Sequence, residues 1–367
     1  MPSNSIYGKL EQILVNNISD IHILEDDFIY VRNSSGKIKK LDGYILYQEE
    51  IYGFLHDILP TNSVDLLLDG HEVDASHTFS GSRFRINAYK DNNGIRIALR
   101  KISSMPPSME EIGFSTEFKN QLINKEKGLI LVTGPTGSGK STTLASIIEA
   151  INNELNSHII TLEDPIEFLY ESKNSLITQR EIGKDTKSWK GAIKYSLRQD
   201  PDVVLVGEMR DLDTISSVMT LVETGHLVLS SLHTTDAIQT INRIVDSFPA
   251  NQQQQVAAQL SFSLDTIISQ RLFTNKTNNG RVPVREVLIN NNAVANNIRE
   301  RKLAQLIGIM ETSTKYGMRT MDQSLAEAVA SGQIDLNVAL SKVKNIDNFK
   351  SLVSYHKNGS SKFRPID

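Results

Sequence analysis

Residues 131–151 read LVTGPTGSGKSTTLASIIEAI. They hold Gly134, Pro135, Thr136, Gly137, Ser138, Gly139, Lys140 and Ser141 in the spacing G-x-x-x-x-G-K-[ST], with Thr142 next. That spacing suits a nucleotide phosphate. Glycine lets bare backbone come close to anionic oxygens and reaches dihedrals other residues resist. The loop N–H groups converge on one concavity, and the helix behind adds its positive end. Lys140 has the reach for β- and γ-phosphates, and the Ser141 hydroxyl suits Mg²⁺. The energy source is therefore legible before its use is.

Three further stretches place polar residues just after apolar runs. HIITLEDPIEF offers Glu163, Asp164 and Glu167. A carboxylate past a strand can orient and deprotonate a water or hold a metal through waters; a solvated acidic turn before Pro165 is the plain alternative. DPDVVLVGEMRD ends its apolar run in Gly207, with Glu208 one residue beyond the usual acidic position. TGHLVLSSLHTTDA brackets a strand with His226 and His233, beside Thr224, Thr234 and Thr235. The two histidines are either structural groups or sensors of a γ-phosphate. Arg180, Arg198 and Arg210 lie near these motifs in sequence. An arginine can stabilise a transferring phosphoryl group, often from a neighbouring subunit; a surface ion pair is the alternative. Arg85, Arg96 and Arg100 reach a nucleotide only if the region carrying them folds over one.

These side chains need elements to hold them. GLILVTG is a short apolar run, and Leu144, Ile147, Ile148 and Ile151 share one helical face, so the loop lies between a strand and a helix. From 114 to 290, LILVTG, HIITLED, SLITQRE, DVVLVGE and HLVLSSLH alternate with helical patterns, which predicts a mostly parallel sheet with covering helices. A doubly wound sheet gathers its ligand site at the carboxyl ends of such strands. Residues 1–101 read as a separate α+β unit: a helix from Ile6 to Asn17, strands DIHIL, FIYVRN and KIKKLDGYIL with an SSGK turn, a helix EEIYGFLHDIL stopping before Pro60, and a hairpin around Asp91–Gly94. Residues 102–113, rich in Pro and Ser, read as a linker, and 291–367 as a helical segment. There Thr320 and Gln323 have capping-box spacing, with Gly332 as a stop. AVANNIRERKLAQLIGIM reads as one helix with Val294, Ile298, Leu303, Leu306 and Ile307 along one side and Arg299 and Glu300 off it.

The 367 residues allow two or three domains. A net charge of −4 disfavours a nucleic-acid surface. With no cysteine, the sequence excludes disulfides, thiolate-bound zinc and a thiol nucleophile. The first twenty residues lack a basic stretch followed by an apolar core, so no signal peptide is expected, and runs such as LILV are too short to span a membrane.

Taken together, GPTGSGKST, TLEDPIEF, DPDVVLVGEMRD and TGHLVLSSLHTTDA resemble the Walker A loop, acidic box, atypical Walker B and histidine box of the secretion ATPase superfamily. These are the hexameric motors of type IV pili and type II secretion. SDIHI, SRFRINAY, ITQREIG and YGMRTMDQSL are similar to its pilus-retraction branch. The absence of cysteine excludes the four-cysteine zinc module usual in assembly ATPases. The retraction branch carries a segment AIRNLIRE; here it is AVANNIRE, with Ala295 for arginine and Asn297 for leucine.

The resemblance implies an α/β fold: a RecA-like P-loop ATPase core, a smaller N-terminal PAS-like α+β domain and a helical C-terminal segment. It implies ATP and Mg²⁺ as ligands and Glu163 as general base. Ser141 and Glu208 would serve the metal, the latter partly through water, with His233 and His226 behind it reporting the γ-phosphate. Arg198 and Arg210 would act across a subunit boundary, and Arg85 and Arg100 would touch the nucleotide from the N-terminal domain. It further implies a cytoplasmic homohexamer, peripheral to the inner face of the cell membrane, driving twitching motility through a platform protein of the pilus machinery, without direct contact to nucleic acid. An assembly, type II secretion or DNA-uptake motor is the alternative within the superfamily, and a RecA-like nucleic-acid motor the alternative outside it.

Overall fold

The alternating runs before residue 102 form strands, and the continuous apolar runs after 127 form a second sheet. The computed structural model describes residues 6–14, 18–33, 37–60, 62–102, 105–277, 280–343 and 345–358. The end of the first expected helix, most of the SSGK turn and the first two serines of the linker lie outside them. By contacts the chain divides into two units: Met1–Met105 with Pro165–Leu169, and Pro106–Asp164 with Tyr170–Asp367.

The first unit contains β1 (Ile18–Leu24), β2 (Asp27–Asn33), β3 (Ile38–Leu46), β4 (Val73–Phe79), β5 (Ser82–Asp91) and β6 (Gly94–Ile102), in the antiparallel order β3-β2-β1-β6-β5-β4. Helices α1 (Ile6–Leu14), α2 (Gln48–Ile58) and α3 (Ser63–Leu68) supply Leu10, Ile51, Phe54 and Leu67 to a core shared with Ile21, Phe84, Ile86 and Leu99. Helix α2 stops at Leu59, whose extended backbone is what a following proline demands. Arg85 and Arg100 face each other across β5 and β6 and are both exposed. Like charges opposed on a sheet repel; Asp20, with Oδ1 2.7 Å from Arg100 Nε, offsets this. Residues 165–169 join this unit, where Arg83 Nε donates to the Ile166 carbonyl at 3.3 Å and Ile166 and Phe168 are buried.

The second unit contains β7 (Gly128–Thr133), β8 (His158–Glu163), β9 (Leu176–Glu181), β10 (Val203–Val206), β11 (Leu227–Leu232), β12 (Leu264–Thr274) and β13 (Arg281–Ile289). Their order is β13-β12-β7-β11-β10-β8-β9. Every pairing is parallel except β12 with β13. All six residues of β7 and of β11 are buried, as a parallel strand covered on both faces requires. Each fully buried aliphatic side chain there stabilises by about 1.5–3 kcal/mol. Around the sheet pack α4 (Thr116–Ile123), α5 (Lys140–Glu154), α6 (Trp189–Ser196), α7 (Leu212–Glu223), α8 (Ala237–Asp246) and α9 (Gln253–Ser263).

The C-terminal part is helical: α10 (Asn292–Arg299), α11 (Leu306–Thr312), α12 (Met321–Ala330), α13 (Leu336–Leu340) and α14 (Ile346–Asn358). The capping box at Thr320 and Gln323 forms, and Gly332 takes a φ of 78° just past α12. The single helix expected over AVANNIRERKLAQLIGIM does not form. Arg301 adopts a φ of 56°, and the N–H groups of Arg301 and Lys302 close on the carbonyls of Ile298 and Asn297, ending α10 in a Schellman motif. Val294, Ile298, Leu303 and Leu306 are buried as expected, but Ile307 is 47% exposed because the break rotates the second segment.

Candidate nucleotide site

The loop between β7 and α5 is shaped by what surrounds it. Gly134 has a φ of 146°, and a Cβ there would lie 2.3 Å from the Gln270 carbonyl oxygen. Gly139 begins α5 at a φ of 86°, and a Cβ there would lie 2.8 Å from Gln270 Nε2. Both positions therefore demand glycine for conformation and for space. Lys140 Nζ donates to the carbonyls of Gly134 at 2.9 Å and Pro135 at 3.3 Å, which keeps the ammonium over the loop. Ser141 and Thr142 follow in the first turn of α5, whose N-terminal N–H groups point into the loop.

The other motifs end neighbouring parallel strands on the same edge of the sheet. Glu163 is the last residue of β8 and is buried. Gly207 follows β10 and donates to the Leu162 carbonyl at 2.9 Å; its Cβ position would be 3.6 Å from Glu163 Cα. The two acidic strand ends thus lie side by side. Met209 N donates to the Ser231 carbonyl, tying the Glu208 loop to β11, after which His233 emerges. Asp211 and Asp236 cap α7 and α8 by accepting from Thr214 N and Gln239 N, both at 2.8 Å, and so fix where each loop enters its helix.

Within this cluster Arg210 pairs with Glu208, and His233 Nε2 lies 3.5 Å from the same carboxylate. Burial works to raise the Glu208 carboxyl, but the bond and charge of Arg210, helped by His233, outweigh it and hold the group below the ordinary carboxylate range. Glu208 is therefore an anion near neutral pH. Asp164 adds its charge to the surroundings of Arg210.

Not every residue singled out from the sequence arrives here. His226 precedes β11 at the opposite end of that strand, with Nδ1 near the Leu221 carbonyl and the Thr224 hydroxyl, each about one hydrogen bond away at 3.0 and 3.1 Å. A strand of six residues spans about 20 Å, so His226 is not gathered with His233. Thr234 bonds Thr240, and Thr235 bonds Gln239, in the first turn of α8. Arg198 is exposed just beyond α6, and Arg180 lies in β9, donating to the Asp185 carbonyl. Arg85 and Arg100 belong to the first unit. Sequence reasoning missed Gln270, Arg285 and Glu286, all buried on β12 and β13. Their signal was polar residues interrupting apolar strands: Ser269, Gln270 and Arg271 in one, Arg285 and Glu286 in the next.

A chemistry follows from this gathering. A phosphate-binding loop, a buried acid able to take a proton, a second ionised acid and a histidine share one sheet edge, as nucleotide hydrolysis needs. Among the described residues no group of three or more His, Cys, Asp or Glu could hold a metal ion. Ser141 and Glu208 are the hydroxyl and the carboxylate that could share a divalent ion with waters and phosphate oxygens, the ligands Mg²⁺ favours.

Comparison with known proteins agrees. A family model described as type II/IV secretion system protein matches residues 70–345. The type IV pilus retraction ATPase PilT of Pseudomonas aeruginosa is 43% identical over 315 residues, covering 86% of this chain and 91% of that protein. A twitching motility protein of Neisseria gonorrhoeae is 42% identical over 314 residues, covering 85% and 84%. Among solved structures, the pilus retraction motor PilT with bound ADP superposes with a TM-score of 0.87 at 41% identity, covering 95% of this chain and 99% of that one.

Proposed function

Because the chain belongs to the type II/IV secretion system protein family, we propose that it is the ATPase that retracts type IV pili and so drives twitching motility. One observation supports this reading above others: the phosphate loop, Glu163, Glu208 and His233 meet at the carboxyl ends of β7, β8, β10 and β11.

In this reading Gly134–Thr142 wrap the phosphates and Lys140 pairs with the β- and γ-groups. Glu163 orients the attacking water and accepts its proton as the γ-phosphoryl group leaves ADP. Ser141 and Glu208 would hold Mg²⁺, which when bound neutralises charge on the phosphate oxygens. His233, beside Glu208, reports the γ-phosphate. Arg198 and Arg210 serve as contacts across a subunit boundary of a homohexamer, and Arg85 and Arg100 as contacts from the N-terminal unit. The motor works in the cytoplasm, at the inner face of the membrane, against a platform protein of the pilus machine. Among the described residues no helix is long and apolar enough to cross a membrane. Nucleotide states bound with different affinity by two arrangements of the units convert hydrolysis into movement.

Pilus number on cells lacking the protein tests this. Retraction predicts abundant surface pili and no twitching; bare cells would make it an assembly motor.

A further inference from the structure

Gln270 lies in β12, beneath the phosphate loop, and is buried. Both ends of its amide are bonded. Nε2 donates to the Ser138 carbonyl at 2.6 Å, and Oε1 accepts from Thr143 Oγ1 at 2.9 Å and from Arg285 Nε at 2.7 Å. Ser138 is the loop residue before Gly139, and Thr143 lies in the first turn of α5. One side chain therefore ties the last peptide of the loop to the helix start. Its own backbone carbonyl forms the wall that Gly134 must approach.

The other end of this strut is unusual. Arg285, on β13, is buried, and its guanidinium carbon stands 4.0 Å over the Phe114 ring. Burial pulls the guanidinium down to about 9, still charged at neutral pH. Its donation fixes which amide atom of Gln270 is the acceptor, so Nε2 is left to face Ser138. Turned over, the amide would put its oxygen against the Ser138 carbonyl and its NH₂ against the Arg285 N–H, a donor that cannot accept. A buried cation has a large desolvation cost and persists only where its bonds and surroundings compensate. Here it is spent on orienting one amide.

We infer that Gln270 is a positioning residue of the nucleotide site, held in its working orientation by Arg285, and that it keeps the Ser138–Gly139 peptide shaped for phosphate. The inference rests on the reading of Gly134–Thr142 as a phosphate loop. Gln270, buried behind the loop, acts through it. Removing it leaves the Ser138 carbonyl and Thr143 hydroxyl without a buried partner and frees the loop to sample shapes that do not bind.

The test is ADP affinity measured with Mg²⁺ on the full chain, alongside the thermal midpoint without nucleotide. Gln270→Leu should weaken ADP tenfold to a hundredfold, about the cost of one or two lost buried bonds. Arg285→Met should do the same by releasing the amide, while Arg285→Lys, which keeps a donor and a charge, should recover part of the loss. The structural role alone would lower the midpoint and leave ADP affinity unchanged in the folded protein. Thr143→Val, which removes one bond to Gln270, supplies a milder variant should Gln270→Leu fail to fold, with ADP weakened by about threefold to tenfold. If folded Gln270→Leu or Thr143→Val binds ADP within twofold of the parent while Lys140→Ala loses it, the positioning role is overturned and the phosphate-loop reading stands. If the parent itself does not bind ADP, both fall.

Discussion

Nε2 of His233 stands 3.5 Å from Oε2 of Glu208, whose other carboxylate oxygen is taken by Arg210. The acid that would serve a metal is thus already engaged by two side chains of its own chain. Any change of ligand at Glu208 must be exchanged against Arg210, so binding and the position of the loop after β10 are linked. Both partners are more than half exposed, so their pairing contributes little stability. Glu208→Gln should therefore shift the thermal midpoint little, while raising the Mg²⁺ concentration needed for half-maximal ATP hydrolysis several-fold. A variant with the parent's Mg²⁺ dependence would remove Glu208 from the metal.

Glu163→Gln should bind ATP and ADP as the parent does but hydrolyse ATP about 10²–10⁴-fold more slowly, because an amide of the same shape cannot accept the proton of water. Steady-state phosphate release measured beside nucleotide affinity separates the two effects. Parent-like turnover would assign the base to another group, Asp164 first.

The arginines are separable by complementation. Mixed oligomers of Arg198→Ala and Lys140→Ala should exceed the ATPase rate of either alone, since some interfaces would join an intact loop to an intact arginine. The pairing of Arg210 with Glu208 in one chain makes the same gain smaller for Arg210→Ala mixed with Lys140→Ala. Activity no greater than that of the separate variants, in oligomers shown to be mixed, would place Arg198 in its own chain's chemistry.

Glu286 gives a pH dependence. Its Oε1 accepts the Ala237 N–H at 2.8 Å at the start of α8. Burial raises its carboxyl from the ordinary 4.5 to about 7, against the opposing pull of the Ala237 N–H, with Asp236 adding to the rise and Arg271 opposing it. The folded chain then binds this proton more tightly than the unfolded chain. The stability that protonation contributes is complete below about 4.5 and is lost as pH rises through about 7. Glu286→Gln, whose amide oxygen still accepts from Ala237, should gain on the order of 1–3 kcal/mol relative to the parent between pH 5 and pH 8. Denaturant unfolding at the two pH values measures it; parallel stabilities would show that Glu286 stays ionised throughout.

Arg299 and Glu300 are exposed at the end of α10, where exposed substitutions usually cost within ~0.5 kcal/mol. Arg299→Ala with Glu300→Ala should keep folding and ATPase activity and abolish twitching, leaving cells piliated. Normal motility would show that this surface does not transmit force.

Much of the site was legible because its strands are buried on both faces and read as unbroken apolar runs, from LILV in β7 to VVLV in β10. The loop spacing supplied the rest. The strut beneath the loop was not legible, since Gln270 and Arg285 are polar residues in strands, and only the fold shows that they are buried together. His226 misled because a strand's two ends are adjacent in a motif but far apart in space. The break after α10 escaped notice because an arginine, rather than glycine, holds the left-handed position, supported by ion pairing of Arg301 to Asp246.

The excursion of residues 165–169 bears on how the protein can be cut. These residues follow Glu163 and Asp164 directly, yet they are counted with the strands of the first unit, and Ile166 and Phe168 are buried there. No single cleavage of the chain separates the two units. A fragment beginning near residue 106 would carry Ile166 and Phe168 stripped of their cover, three and five residues beyond Glu163. Such a fragment should aggregate or hydrolyse ATP poorly even with every motif of its P-loop intact, and polar substitution of both side chains should restore its solubility without restoring its rate. The path of the chain, which leaves the second unit after Asp164 and returns to it at Tyr170, is what any truncation must respect.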